Sequence, residues 1–166
     1  GLDIDNDVTY CRTLHPYAFN QLGMKREKMM GSEDDKEFGE KCGIPIKVAR
    51  FSEGDGTFNS DNEYLTIINT AAVKRMDLLE YYDSRKNILD IERNTLFLLS
   101  EELKRFKTEK GLKEFNDLLE DFIAKEKHNK FEVLFIDEAQ DLSLLQWELL
   151  RKFWCHVEKK YIAGDE

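Results

Sequence analysis

The chain has 166 residues, 41% of them hydrophobic and 36% charged, which is a globular composition with room for one domain or one domain plus an insertion. The formal net charge of −9 argues against a protein that binds nucleic acid tightly on its own, because such binding relies on positive charge against the phosphates. No apolar run approaches the length of a membrane span and no signal peptide is visible, so we expect no membrane partner. The three scattered cysteines argue against disulfides and zinc and predict a cytoplasmic location.

The first predicted elements form a strand–turn–helix unit. Residues 8–12 predict a short strand, and residues 16–23 predict a helix, because proline favours the first turn of a helix and glycine its end. Thr13 and His15 lie between the two. Spacing alone predicts that His15 is a histidine whose hydrogen bonds are satisfied within the fold.

A mostly helical region is predicted over residues 24–110. Ser32 is a good N-cap for a helix over 33–41, because serine can accept a backbone hydrogen bond there. Acidic residues in the first turn of that helix also suit its dipole. Further apolar periodicity predicts helices over 61–75 and 88–107. The last of these ends in basic residues, which either contact DNA or form a solvated helix end that the helix dipole favours.

The chain is organised around a short apolar run that ends in acids. A helix over 112–127 precedes this run, and residues 133–136 are uninterrupted β-branched and aromatic residues, which predicts a strand buried on both faces. Asp137 and Glu138 follow at its carboxyl end, where parallel α/β sheets bind ligands. Such a pair suits phosphate chemistry, with one carboxylate on Mg²⁺ and the other on a water. The alternative is a strand that simply meets solvent or caps the next helix.

The residues that follow favour the functional alternative. Gln140 and Asp141 come next, an amphipathic helix follows over 142–154, and a second strand over 160–163 ends in Gly164 and Asp165. This order of strand, acids, helix, strand and Gly-Asp is the order that a nucleotide-hydrolysing sheet needs.

Residues 131–166 resemble motif II and the opening of motif III of UvrD/Rep-type superfamily 1 DNA helicases. Motif II of that family is Asp-Glu-x-Gln-Asp after an apolar strand, and motif III opens with Gly-Asp. Thr13-Leu14-His15 resembles motif Ib, and residues 113–119 are similar to a block upstream of motif II, although Glu114 and Asn116 depart from it.

The resemblance implies a role for each matching residue in an ATP-dependent helicase. Asp137 would hold Mg²⁺, Glu138 would be the catalytic base, and Gln140 would sense the γ-phosphate of ATP and take part in catalysis. Asp141 and Asp165 would organise the nucleotide site. The implied cofactors are ATP and Mg²⁺.

On the DNA side, the resemblance implies that Thr13 and His15 contact single-stranded DNA, which is the implied partner of the intact enzyme. The implied fold is α/β, a partial RecA-like P-loop NTPase domain with a mostly helical inserted subdomain. Residues 1–23 and 111–166 would form the RecA-like part, and residues 24–110 would form the insertion.

One expected motif is missing from the sequence. No phosphate-binding loop of the form Gly-x-x-x-x-Gly-Lys-Ser/Thr occurs in the chain, so we expect an internal fragment that hydrolyses no ATP alone. Without the strand of that loop, residues 160–163 would be an open sheet edge, which predicts either an edge-strand dimer or cover by residues 8–12. Two alternatives are a non-catalytic helical interaction module and the motor of another nucleic-acid-dependent P-loop ATPase, such as a repair nuclease subunit.

Overall fold

The computed structural model describes residues 13–46, 49–51, 58–125 and 131–165. The predicted strand over 8–12 lies outside these residues. Within them the elements, in chain order, are α1 (Leu14–Gln21), α2 (Ser32–Cys42), β1 (Ala49–Phe51), β2 (Phe58–Ser60), α3 (Glu63–Val73), α4 (Leu78–Arg85), α5 (Arg93–Lys110), α6 (Phe115–Ala124), β3 (Val133–Ile136), α7 (Leu144–Trp154) and β4 (Lys159–Ile162).

The helices follow the predicted periodicity, with ends set by local chemistry. The helix predicted over 88–107 is α5, which begins five residues later and ends where Gly111 adopts a left-handed conformation with φ 63°. For α2, the N-cap is Gly31 rather than Ser32, because the Asp34 carboxylate accepts the Gly31 N–H at 3.0 Å. In the described residues over 24–30, only the short 3-10 turn Arg26–Lys28 is helical.

The described strands form two sheets of two strands each. β1 and β2 pair antiparallel inside the region that was predicted to be helical, with Ala49 opposite Ser60. β3 and β4 pair in parallel, with Val133 opposite Lys159 and Ile136 opposite Ile162. α7 makes the crossover between them, as a parallel pair requires.

The prediction that β3 is buried on both faces is wrong. Ile136 is 6% exposed, whereas Val133 is 41% and Phe135 72% exposed. Successive side chains of a strand point to opposite faces. Leu134 and Ile136 therefore pack on the helical core, while Val133 and Phe135 lie on a face that no other described element covers. Across that face, the Phe135 ring stacks on Tyr161 with centroids 4.6 Å apart.

Buried side chains fall into separate clusters. The first joins α1, α6, β3 and α7 around Tyr17, Phe122 and Phe153, whose rings meet edge to face or tilted. A second cluster around Phe38 and a third around Leu96 lie among α2, α3, α4 and α5. The first cluster packs under β3, and the other two clusters pack α2, α3, α4 and α5 together.

Arg75 ties the helical region to the first cluster. It follows α3 in a left-handed conformation with φ 53°. Its guanidinium donates to both carboxylate oxygens of Glu148 on α7, at 2.6 and 3.3 Å, and to Glu120 on α6 at 3.0 Å. A bidentate arginine–carboxylate pair fixes orientation as well as distance. The position of α3 relative to α6 and α7 therefore depends partly on this one side chain.

Candidate active site at the carboxyl end of the parallel strands

The two adjacent acids lie where β3 ends. Asp137 and Glu138 are both exposed, and Asp137 Oδ1 accepts the Glu138 N–H at 3.1 Å. Glu138 has φ 50° and ψ 47°, a left-handed conformation that is uncommon for a residue with a side chain. Backbone strain of this kind is concentrated at functional sites. The turn aims the Glu138 carboxylate away from the strand and toward the residues that follow it.

Gln140 joins Glu138 to the loop after β4. Gln140 lies in the 3-10 turn Ala139–Asp141, and its Nε2 donates to Glu138 Oε2 at 2.6 Å. Its Oε1 accepts the backbone N–H of Asp165 at 3.1 Å. The backbones also meet, because the Ala139 N–H donates to the Ala163 carbonyl at 2.9 Å. The two segments that resemble motifs II and III are therefore in direct contact.

A capping box fixes the start of the helix behind the acids. Ser143 Oγ accepts the Gln146 N–H at 3.2 Å, and Gln146 Oε1 accepts the Ser143 N–H at 2.8 Å. These contacts satisfy two of the backbone N–H donors at the start of α7. Sequence reasoning did not assign these residues, although Ser-x-x-Gln before an apolar run is a recognisable signal. The capping box thereby fixes where α7 begins, and the segment 137–143 connects this fixed helix start to the end of β3.

Of the residues assigned to the nucleotide site, four are brought together by contacts. Asp137, Glu138, Gln140 and Asp165 are linked in series by the hydrogen bonds given above. Asp141 is exposed in the same 3-10 turn, and its N–H donates to the Glu138 carbonyl at 3.0 Å. Carboxylate oxygens are among the ligands that Mg²⁺ prefers, and the exposed Asp137 carboxylate would supply one such ligand. Within the described ranges, no group of three or more His, Cys, Asp or Glu residues is placed so that it could hold a metal ion.

The two residues assigned to DNA lie in different environments. Thr13 is the exposed N-cap residue of α1. His15 is 1% exposed and lies edge-on to Phe115 of α6, with ring centroids 6.0 Å apart. Burial lowers the pKa of His15 from 6.5 to about 4. This environment favours a neutral, packed imidazole, and a direct contact between His15 and DNA stays a prediction.

A parallel strand pair with adjacent carboxylates at its carboxyl end is the arrangement of nucleotide-binding α/β proteins. The family model for the UvrD/REP helicase N-terminal domain matches residues 12–166, so the chain belongs to that family, and the predicted resemblance to UvrD/Rep-type helicases is confirmed. Searches of curated proteins and of solved structures returned no match.

The family assignment indicates an ATP-dependent DNA helicase as the activity of the intact protein. The mostly helical architecture with a small parallel sheet is consistent with a P-loop NTPase family. Among the helices of the described residues, none is both long enough and apolar enough to cross a membrane.

Proposed function

We propose that this chain carries the ATP-hydrolysing acids of an ATP-dependent DNA helicase, with Glu138 as the base that activates the attacking water. The observation that carries the proposal is the series of contacts from Asp137 to Asp165 at the carboxyl end of β3. A base must lie within hydrogen-bond reach of the proton it removes, and the exposed Glu138 carboxylate is accessible to an attacking water.

Each neighbouring residue has a proposed part in the same step. The Asp137 carboxylate would hold Mg²⁺, directly or through water, beside the phosphates of the nucleotide. Gln140 orients Glu138 and senses the γ-phosphate, while Asp141 and Asp165 organise the surrounding nucleotide site. When bound there, Mg²⁺ would supply Lewis-acid stabilisation of the charge on the transferred phosphoryl group.

The proposed organisation is a partial RecA-like domain with a helical insertion. The first buried cluster, formed by α1, α6, β3 and α7, supports grouping residues 1–23 with 111–166. The separate clusters around Phe38 and Leu96 support an insertion over 24–110. The phosphate loop is not among the 166 residues, so we propose that the chain alone neither retains nucleotide phosphates nor hydrolyses ATP.

The proposed single-stranded DNA contact begins at Thr13. Its exposed position at the amino end of α1 supports contact with a phosphate, since helix N-termini favour anions. At a net charge of −9, the chain alone binds DNA weakly. Thr13→Ala should lower DNA affinity without changing stability, whereas a role of His15 in folding should appear as a loss of stability in His15→Gln. Submicromolar binding of DNA to the chain at about 150 mM salt, measured by fluorescence anisotropy, would contradict weak binding.

The test of the catalytic proposal is ATP turnover in the intact protein. Glu138→Gln removes the base but keeps the size of the side chain, and should reduce kcat by at least roughly a hundredfold. Glu80→Gln is the matched control, because Glu80 is an exposed glutamate of α4 with no place in the proposed site. Normal turnover by the Glu138→Gln enzyme would refute the assignment. Turnover by the purified 166-residue chain that is lost on Glu138→Gln would refute its proposed inactivity.

A further inference from the structure

The loop after β4 approaches the 3-10 turn too closely for a side chain at residue 164. A Cβ atom at Gly164 would lie 2.4 Å from Gln140 Oε1, 3.1 Å from the Ala139 nitrogen and 3.3 Å from the Gln140 nitrogen. The first distance is far below van der Waals contact. The φ angle of Gly164 lies outside the left-handed region, so alanine is acceptable to the backbone there. The requirement for glycine is therefore one of space beside the Gln140 amide.

The atom that a side chain would strike is the one that accepts from Asp165. Gln140 Oε1 receives the Asp165 N–H at 3.1 Å, while Nε2 of the same amide donates to Glu138 at 2.6 Å. We call these two hydrogen bonds the amide bridge. Because both ends belong to one planar amide, moving Oε1 also moves Nε2. A group placed at residue 164 would therefore disturb Glu138 without touching it.

We propose that Gly164 is a positioning residue for Glu138, acting through the amide bridge of Gln140. The inference rests on the proposed function of Glu138 and adds a residue to it. The Gln140 side chain is flexible and exposed, so it can swing away from a new methyl group at little cost to the fold. The backbone distances of 3.1 and 3.3 Å require only small adjustments. Gly164→Ala should therefore break the amide bridge and leave the strand pairing intact.

The first test is nuclear magnetic resonance on the 166-residue chain, which requires no ATPase activity. Gly164→Ala and Gln140→Ala should each move the Asp165 amide proton upfield and speed its exchange, because each removes its acceptor. The Ala163 amide, which donates to the Ile136 carbonyl at 2.8 Å, reports strand pairing and should not move in Gln140→Ala. In Gly164→Ala, the exchange rate of the Ala163 amide should match that of the wild type. An unchanged Asp165 amide in Gly164→Ala, or a lost Ala163 signal, overturns the proposal.

The second test is a double-mutant cycle in the intact, ATP-hydrolysing protein. Loss of one hydrogen bond that orients Glu138 should lower kcat roughly fivefold to tenfold in Gly164→Ala and in Gln140→Ala, with KM for ATP little changed. The double variant should fall no further, since both changes break the same bridge. Gly31→Ala is the matched control, because a Cβ there meets only Asp34 Oδ2 at 4.0 Å and the backbone has ordinary φ.

The outcomes separate the two proposals. If Glu138→Gln retains turnover, the proposed function fails, while the magnetic resonance test of the amide bridge still stands. If Glu138→Gln abolishes turnover but Gly164→Ala has normal kcat, the positioning role alone is refuted. Multiplicative losses in the double variant also refute it, because they would mean that Gly164 acts on something other than Gln140.

Discussion

Acidification should destabilise the fold through His15. The His15 ring is almost completely buried, and its pKa in the folded protein is about 4, against 6.5 in an exposed histidine. The unfolded chain therefore binds a proton at higher pH than the folded chain does. The stability associated with a neutral His15 is complete above pH 6.5 and is lost as the pH falls toward 4.

The size of the effect follows from the two pKa values. Each unit of difference between folded and unfolded states corresponds to about 1.4 kcal/mol when the full titration is included. Between pH 7 and pH 5, only part of this range is crossed, and the linkage relation gives a loss of about 2 kcal/mol from His15. That is a large fraction of the stability of an ordinary domain.

The assay is urea unfolding of the wild type and His15→Gln at pH 7 and pH 5, followed by circular dichroism. Glutamine stays neutral, so the stability advantage of the wild type over the variant should shrink by about 2 kcal/mol at the lower pH. Comparing the two proteins removes the titration of every group that they share. An advantage that is the same at both pH values would refute the reasoning and would mean that His15 is solvated or paired when it is protonated.

Three other side chains give further expectations. Burial and, next in effect, the charge of Glu114 raise the pKa of Asp35 to about 6. The folded protein therefore takes up a proton more readily than the unfolded chain, and lowering the pH from 7 to 5 should stabilise the wild type by about 1 kcal/mol through this group. Urea unfolding of Asp35→Asn should lack this gain. The Lys107 side chain is 14% exposed, and its Nζ lies 2.7 Å from Glu114 Oε2 and 2.8 Å from Asp117 Oδ2. Lys107→Met should lower the free energy of unfolding in urea by about 3 kcal/mol, because two half-buried carboxylates lose their cation. A loss below about 1 kcal/mol would contradict this expectation. β4 has an exposed edge with exposed Tyr161, so light scattering should detect a concentration-dependent dimer that pairs through this edge. Tyr161→Lys should weaken the dimer. A wild type that is monomeric at every concentration would contradict edge pairing.

Local features were predictable from the residues alone. The strand β3 was predicted with the bounds that the structure has, and β4 was displaced by one residue, because short apolar runs between polar turns carry a clear signal. The longest helix was also predicted, although its start was misplaced: Ile88 is apolar yet 81% exposed and precedes α5. The resemblance of residues 131–166 to UvrD/Rep-type helicases predicted the family, and the match over residues 12–166 confirms that family.

Other features depend on segments that are far apart in the chain. The sequence of a run of four apolar residues does not determine how many faces of the strand are covered. Phe135 is exposed because no other described element packs on its side of the sheet. His15 lies edge-on to a ring on α6, about a hundred residues away, and Gly164 lies against Gln140 on another turn. Periodicity and capping act over a few residues and can be read in order. Burial and close approach are set by which distant segments meet, so only the tertiary structure decided them.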